Sequence, residues 1–181
     1  MELKEQILIF GLGHIGGSIA KSLCKQGIRV YAEDLSKKTI KYAIKNKIIK
    51  GTFSDLDPSK PYSVIFSTPP IITNKLVNEN KDLIKNAVLF TETSSSKNKI
   101  KKNAFINKIE NAILSHPIAG NEGSGIDASD TKLFENKICI LSPLKMTSKN
   151  SITKAQKLWE SLGSNCIKMD LNTHDKVLAA T

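Results

Sequence analysis

The first residues whose spacing indicates chemistry form a glycine-rich run, Gly11-Leu12-Gly13-His14-Ile15-Gly16, directly after the apolar segment Gln6–Phe10. This spacing between a strand and a helix is typical of a site that binds a dinucleotide. Glycine is needed for the tight turn at Gly11, for close approach of the backbone to a pyrophosphate at Gly13, and for packing of helix on strand at Gly16. The backbone N–H groups that open the helix then face the phosphate charge.

An acidic residue follows at the distance expected for a ribose contact. Asp34 lies 18 residues past Gly16, near the ~20-residue offset of the carboxylate that binds the adenosine ribose. Because a carboxylate there repels a 2′-phosphate, the sequence favours NAD over NADP, although Lys37 and Lys38 lie near enough to weaken that preference. The alternative interpretation is that Asp34 only caps a helix that begins at Leu35–Lys37.

The next candidate group is His116, which ends an apolar segment and precedes a loop of small residues, Pro117–Gly125. A histidine near its ordinary pKa of ~6.5 is mostly neutral at cytoplasmic pH and accepts a proton from an alcohol. Hydride transfer to a nicotinamide needs such a group, because the hydroxyl loses its proton as the hydride leaves its carbon. Thr91–Lys97 ends an earlier strand and is expected to open into the same crevice if the two strands are parallel neighbours. The alternative role for His116 is that of a hydrogen-bonded structural residue.

The elements that must position these groups alternate between strand-like and helix-like segments, the pattern of βαβ units. We therefore predict an α/β fold of the Rossmann-type doubly wound class with a mostly parallel sheet, formed by residues 1–170 as one NAD-binding domain. Residues 171–181 begin a further helix, for which Asn172 or Thr173 is the predicted cap. The predicted strands are Gln6–Phe10, Ile28–Ala32, Ser63–Thr68, Ala87–Thr91, Ala112–Ser115, Lys137–Leu141 and Cys166–Met169, and the predicted helices are Ile15–Gln26, Lys37–Lys47, Thr73–Ile84 and Ser151–Leu162.

Composition and charge argue against several other classes of protein. The formal net charge is +10, but all basic residues except Arg29 are lysine and aromatic residues make up only 6%. Nucleic-acid sites usually cluster charge and use arginine forks and stacked aromatics, so we expect no nucleic-acid partner. No stretch approaches the ~18–20 apolar residues of a membrane span, and the amino terminus has no signal-peptide pattern, so we expect a cytoplasmic protein without membrane contact. Cys24, Cys139 and Cys166 fit neither a metal motif nor a disulfide framework, and we predict no metal.

The longer run from His116 to Gly125 makes the chain resemble the prephenate/arogenate dehydrogenase family of tyrosine biosynthesis. The glycine run, continued by Gly17 and Ser18, is also similar to that family. So are Ser67-Thr68-Pro69 at the end of the third strand and His174-Asp175 in the last helix. The resemblance implies NAD-dependent oxidative decarboxylation of prephenate to 4-hydroxyphenylpyruvate, or of arogenate to tyrosine.

The resemblance also implies roles for individual residues. It assigns His116 to polarise the ring hydroxyl as a catalytic residue, and Ser95 to bind the same hydroxyl and help seat the nicotinamide. Gly120 and Asn121 join these two residues in the implied substrate site, and Ser67, Thr68 and Pro69 join the implied cofactor site. Two positions depart from the family pattern: Asn121 stands where threonine or serine is usual, and Ser94 where glycine is common.

The family further implies a homodimer, formed by a carboxy-terminal helical domain that supplies the arginine for the substrate carboxylate. By this resemblance, residues 171–181 are the start of the helix that leads to that domain, which the 181 residues do not include. Arg29 cannot replace the missing arginine, because it belongs to the second strand on the cofactor side.

Three alternatives remain open from the residues. One is a binding module that holds NAD without chemistry. Another is a different two-domain NAD(P) dehydrogenase with the same amino-terminal fold, against which the run His116–Gly120 argues. The third is acyl transfer, because Ser94-Ser95-Ser96-Lys97 has the SxxK spacing, but the partner motifs SDN and KTG are absent from the sequence.

Overall fold

One sheet of seven strands organises the part of the chain that the computed structural model describes, residues 5–120 and 123–178 without the Leu178 side chain. The strands are β1 (Gln6–Phe10), β2 (Arg29–Glu33), β3 (Tyr62–Phe66), β4 (Leu89–Glu92), β5 (Ala112–Pro117), β6 (Ile138–Pro143) and β7 (Asn165–Lys168). Their order in space is β2-β1-β3-β4-β5-β6-β7. The pairs from β2 to β5 are parallel, β6 runs antiparallel to β5, and β7 is parallel to β6.

Helices cover both faces of this sheet. They are α1 (His14–Lys25), α2 (Lys37–Lys45), α3 (Pro70–Glu79), α4 (Lys81–Asn86), α5 (Lys149–Ser161) and α6 (Leu171–Leu178). Buried residues of α1, α2 and α5 form one core cluster with the sheet. Those of α3, α4 and two 3₁₀ turns, Ile100–Lys102 and Ile106–Lys108, form the other. The predicted doubly wound α/β fold is therefore confirmed. Within the described residues, no helix is long and apolar enough to span a bilayer.

Strand β1 illustrates why the sequence folds in this way. All five of its residues are buried, with Ile7 and Ile9 in one core cluster and Leu8 and Phe10 in the other. A central parallel strand needs apolar side chains on both faces because helices cover both, so it appears in the sequence as a continuous apolar run.

The sheet has a topological switch point between β1 and β3. The chain passes from β1 through α1 to β2 on one side, and then returns through α2 to β3 on the other side of β1. In open α/β sheets, ligands bind in the crevice outside the carboxyl ends of the strands at such a point. The glycine-rich run follows β1, and Ser67-Thr68-Pro69 follows β3, so both lie at this crevice.

Two local predictions were wrong. The predicted helix Thr73–Ile84 is instead two helices that meet at Asn80, whose side-chain amide donates to the carbonyl of Leu76 (2.8 Å). A side-chain bond of this kind competes with continuation of the helix. At the start of α6 the capping residue is Asp170, because its Oδ1 accepts from the backbone N–H groups of Asn172 and Thr173 (both 3.0 Å).

Candidate functional site

The glycine-rich turn is held by two close backbone contacts that only glycine permits. Gly11 has φ +91°, and a Cβ atom there would lie 2.3 Å from the carbonyl oxygen of Ser67. A Cβ on Gly16 would lie 1.9 Å from the carbonyl oxygen of Gly11. The turn after β1 is thus packed directly against the end of β3 and the first turn of α1.

Gly13 differs, because the packing of the described residues does not require glycine there. Its φ is −69°, which any residue adopts, and a Cβ would meet nothing within 4 Å. Gly13 precedes α1 without a side-chain cap, and the first turn of α1 contains no acidic residue. A glycine at this position keeps the helix N-terminus open, which suits a phosphate group.

His14, in the first turn of α1, has a buried Nε2 atom with no hydrogen-bond partner within residues 5–120 and 123–178. Leaving such a group unpaired costs about 1–3 kcal/mol, so it calls for a ligand or another partner. The neighbouring predicted cofactor residues have a different place: Leu12 is fully buried and Ile15 packs against the core. Leu12 and Ile15 can therefore contribute only backbone groups to a cofactor site.

Asp34 joins the glycine-rich turn to the end of β2. Its Oδ2 accepts from the backbone N–H of Leu12 (2.7 Å), and its Oδ1 accepts from the N–H of Ser36 (2.8 Å). The cap of α2 is Ser36, whose hydroxyl accepts from the N–H of Thr39 (3.2 Å), and not Asp34. A carboxylate has further lone pairs beyond these two bonds, so Asp34 retains capacity to accept from ribose hydroxyls.

The end of β3 completes this edge of the site. The N–H of Ser67 donates to the carbonyl of Phe10 (2.8 Å), and its hydroxyl accepts from the hydroxyl of Thr93 (3.1 Å). The Thr68 and Thr73 hydroxyls are bonded to each other (2.8 Å), which holds the exposed Pro69 at the start of α3. The structure thus brings the predicted cofactor residues together at the ends of the three adjacent strands.

A fully buried ion pair links the ends of β4 and β5. Lys97 donates to Glu92 and to the carbonyl oxygens of Ser94 and Ser115 (both 2.6 Å), so its three N–H donors have three acceptors. Burial lowers the pKa of Lys97, and the Glu92 carboxylate opposes this shift. The other Glu92 oxygen accepts from the backbone N–H of Ser94 (2.9 Å) and from its hydroxyl.

This ion pair brings together the segments that carry the two predicted catalytic residues. Ser95 is exposed and follows Ser94, whose carbonyl binds Lys97, while His116 follows Ser115, whose carbonyl binds the same ammonium. Gly120, at φ +157°, is exposed in the loop after β5. Asn121, predicted in the substrate site, lies outside the described residues.

His116 is buried at the end of β5, and its Nδ1 lies 3.0 Å from Nε2 of His174 on α6. Burial, followed by the charges of Lys97 and His174, lowers the pKa of His116 to about 4. The ring is therefore neutral near pH 7 and keeps one nitrogen lone pair that can accept a hydrogen bond. His174 itself is fully buried, and its Nδ1 lies 3.3 Å from Asp175 Oδ1, while Asp175 Oδ2 accepts from Lys101.

The depressed pKa of His116 gives a testable dependence of stability on pH. The unfolded chain takes up this proton near pH 6.5, whereas the folded chain takes it up near pH 4. Between these values the unfolded state holds more protons, so His116 makes the free energy of unfolding fall as the pH is lowered.

Between about pH 7 and about pH 5, we expect the melting temperature of the variant His116→Asn to fall less than that of the original chain. Thermal unfolding followed by circular dichroism in matched buffers measures both losses. An equal loss in the two proteins would contradict the buried, neutral state of His116.

Sequence reasoning missed Glu92 and Lys101 as members of the site. Glu92 was visible as a charged residue at the end of an apolar strand, which is a signal of a paired buried charge. Lys101 carried no such signal, because nothing local marks it among the many lysines. No group of His, Cys, Asp and Glu in the described ranges is arranged to hold a metal, and the three cysteines are unpaired.

Solved structures with this fold include two with related names. Prephenate dehydrogenase from Aquifex aeolicus, in complex with hydroxyphenyl propionate and NAD+, superposes with a TM-score of 0.83 and 29% identity, over 96% of this chain and 62% of that one. Synechocystis arogenate dehydrogenase gives a TM-score of 0.87 over 96% of this chain and 63% of that one, at 24% identity. The second likeness concerns the fold alone.

Sequence comparison identifies the family. Prephenate dehydrogenase of Bacillus subtilis is 30% identical over 183 residues, covering 97% of this chain and 49% of that protein. The chain thus spans about half the length of this curated relative. The family model described as "Prephenate dehydrogenase, nucleotide-binding domain" matches residues 19–168, which is most of the chain. The chain therefore belongs to the family of prephenate dehydrogenase nucleotide-binding domains.

Proposed function

We propose that the chain acts in the NAD-dependent oxidative decarboxylation of prephenate to 4-hydroxyphenylpyruvate, or of arogenate to tyrosine. The observation that carries the proposal is the placement of a buried, neutral His116 at the same edge of the sheet as the open N-terminus of α1. The ends of β1, β2 and β3 form the cofactor cradle. Oxidation of an alcohol needs a proton acceptor beside such a dinucleotide site.

The residues of the cradle fit NAD. The uncapped first turn of α1 suits the pyrophosphate, and Asp34 suits the adenosine ribose. No described residue comes within 4 Å of the position where a side chain of Gly13 would begin. Among the described residues, the buried Nε2 of His14 at the same turn has no hydrogen-bond partner. NAD, when bound, accepts the hydride from the ring carbon that carries the hydroxyl.

The side chains of the chain then manage one proton and the orientation of the ring. His116 accepts a hydrogen bond from the ring hydroxyl and takes its proton as the carbonyl forms. The proton returns to the same oxygen when carbon dioxide leaves and the ring becomes aromatic, so no net proton is released. Ser95 donates to the same oxygen and holds the ring in register with His116.

An assay of NADH formation with prephenate and with arogenate, beside a titration with NAD alone, tests this proposal. We expect NAD binding and NADH formation with at least one of the two substrates. NAD binding without NADH formation from either substrate would favour a second candidate, a dinucleotide-binding module. The specific observation that favours this candidate is that the uncapped first turn of α1 and the carboxylate of Asp34 suit a dinucleotide without the help of any catalytic group.

Asp34 provides a test of the cofactor site. We expect Asp34→Asn to bind NAD more weakly and to discriminate less against NADP, because the variant keeps the size of the side chain but loses the charge that repels a 2′-phosphate. Parallel titrations with NAD and NADP measure the ratio of the two dissociation constants. Asp55→Asn, which removes a carboxylate from the exposed turn Phe53–Asp55, is the matched control. An unchanged ratio in Asp34→Asn would refute the ribose assignment.

The homodimer, the helical domain beyond residue 181 and the cytoplasmic location remain predictions from the resemblance and the composition. Sedimentation of a chain extended through that domain tests the first two, and cell fractionation tests the third.

A further inference from the structure

Four polar side chains form a continuous row behind the candidate proton acceptor. The row runs from His116 on β5 to His174 and Asp175 on α6, and ends at Lys101 on the 3₁₀ turn Ile100–Lys102. His174 is fully buried and His116 is 9% exposed, so water cannot readily replace the hydrogen bond between the two rings. The proposed function uses only the first member of the row, and the roles of the other three are unassigned.

The direction of each hydrogen bond follows from the far end of the row. Burial opposes ionisation of Asp175, but bonds from Lys101 and His174 keep its pKa below the ordinary value. An ionised carboxylate only accepts, so the proton between Asp175 and His174 lies on His174 Nδ1. A neutral imidazole with its proton on Nδ1 has Nε2 as its acceptor. His116 must then donate from Nδ1 across the 3.0 Å contact.

The opposite arrangement is disfavoured by the same contacts. If His174 carried its proton on Nε2 and donated to His116, its bare Nδ1 would face the Asp175 carboxylate at 3.3 Å. Two acceptors would then face each other at a partly buried position without a proton between them, which forfeits a hydrogen bond to a charged group. Lys101 holds the other Asp175 oxygen and so keeps the carboxylate in place.

We propose that His174 and Asp175 are positioning residues that fix His116 in the tautomer with its proton on Nδ1. Nε2 of His116 is then the acceptor atom of the ring, which leaves it able to take a hydrogen bond from a substrate hydroxyl. The catalytic consequence rests on the proposed function, whereas the tautomer is a property of the chain alone and is measured without substrate.

Nitrogen-15 NMR of the histidine rings tests the tautomer directly. The chain has only three histidines, so the signals of His116 are assigned by replacing His14 and His174 in turn. Near pH 7 we expect long-range proton–nitrogen correlations of His116 to show a protonated Nδ1 and an unprotonated Nε2. A protonated Nε2 in the original chain would overturn the proposal.

Asp175→Asn is the decisive variant. Lys101 donates, so it attracts the amide oxygen of the new side chain and leaves the amide N–H groups to face His174. His174 then moves its proton to Nε2, and His116 is driven to the wrong tautomer with its proton on Nε2. Asp170→Asn is the matched control, because it removes the same charge near the start of α6 and keeps a capping side chain, which bonds to Asn172 and Thr173. The only bond of Asp170 to the row within the described residues is from the backbone N–H of His174 to its backbone carbonyl (2.9 Å), which the substitution leaves in place. We expect the control to keep the original tautomer, and an unchanged tautomer in Asp175→Asn would overturn the proposal.

Turnover gives a second, separate readout. With a substrate that the chain oxidises, we expect Asp175→Asn to lower kcat by about 10²–10⁴-fold, as loss of the correct base does, with NAD affinity unchanged. His174→Gln, which keeps an acceptor for His116 Nδ1, is expected to retain more turnover than His174→Phe, which keeps only ring volume. Equal turnover in these two variants contradicts the proposal. Absence of NADH formation in the original chain would contradict the proposed function, while the NMR result would still decide the tautomer.

Discussion

Replacing His116 with asparagine is expected to lower turnover by about 10²–10⁴-fold, the contribution that a general acid–base group makes, while NAD affinity stays nearly unchanged. Asparagine remains polar but does not take up a proton near neutral pH. The cofactor cradle is built from the ends of β1, β2 and β3, whereas His116 ends β5, so the cradle is not disturbed by the substitution. Steady-state rates and an NAD titration of the same preparation separate the two effects.

The contrast between kcat and cofactor affinity is what makes this result informative. His14→Leu supplies the opposite comparison, because His14 lies in the first turn of α1 and its substitution should weaken NAD binding. Turnover of His116→Asn at the original rate would remove His116 from the chemistry. A parallel loss of NAD affinity and melting temperature would instead give His116 a structural role.

The second large effect concerns stability. Glu92→Gln is expected to lower the free energy of unfolding by about 3–5 kcal/mol, because the buried Lys97 ammonium loses its counter-charge. Both side chains are fully buried, so water cannot replace the missing carboxylate. Urea denaturation followed by circular dichroism measures the change. The double variant Glu92→Gln/Lys97→Met is expected to recover part of the loss, since it leaves no unpaired charge.

An exposed ion pair provides the control for this experiment. Glu79→Gln makes the same chemical change in the pair Lys75–Glu79, whose side chains are 69% and 52% exposed. Exposed pairs of this kind contribute little, so the control should unfold almost as the original chain does. If Glu92→Gln costs no more than Glu79→Gln, the buried pair does not hold the ends of β4 and β5 together.

The sequence was sufficient for the features that depend on local pattern. Continuous apolar runs predicted the central strands, as for Gln6–Phe10. The glycine spacing predicted a turn at Gly11 that the structure shows at positive φ. His116 was identified from its place at a strand end, and the structure buries it beside the parallel neighbour β4.

Features that depend on contacts between distant segments were not predictable in this way. Lys101 meets Asp175 across 74 residues, and this contact exists only because α6 packs back against the end of the sheet. The antiparallel direction of β6 was also not predictable, because the apolar pattern of a strand does not depend on the direction in which it pairs. Asn80 ends a helix by its own side chain, a competition that the apolar periodicity of Thr73–Ile84 does not reveal.

The most direct test of the proposed function is a single-turnover experiment with the chain and NAD in excess over prephenate, repeated with arogenate. Excess chain removes slow product release and weak substrate affinity as reasons for a low rate. We predict that NADH and carbon dioxide form in equal amounts from at least one substrate, and that His116→Asn abolishes both on the same time scale. Saturating NAD binding with neither product from either substrate would contradict the proposed function.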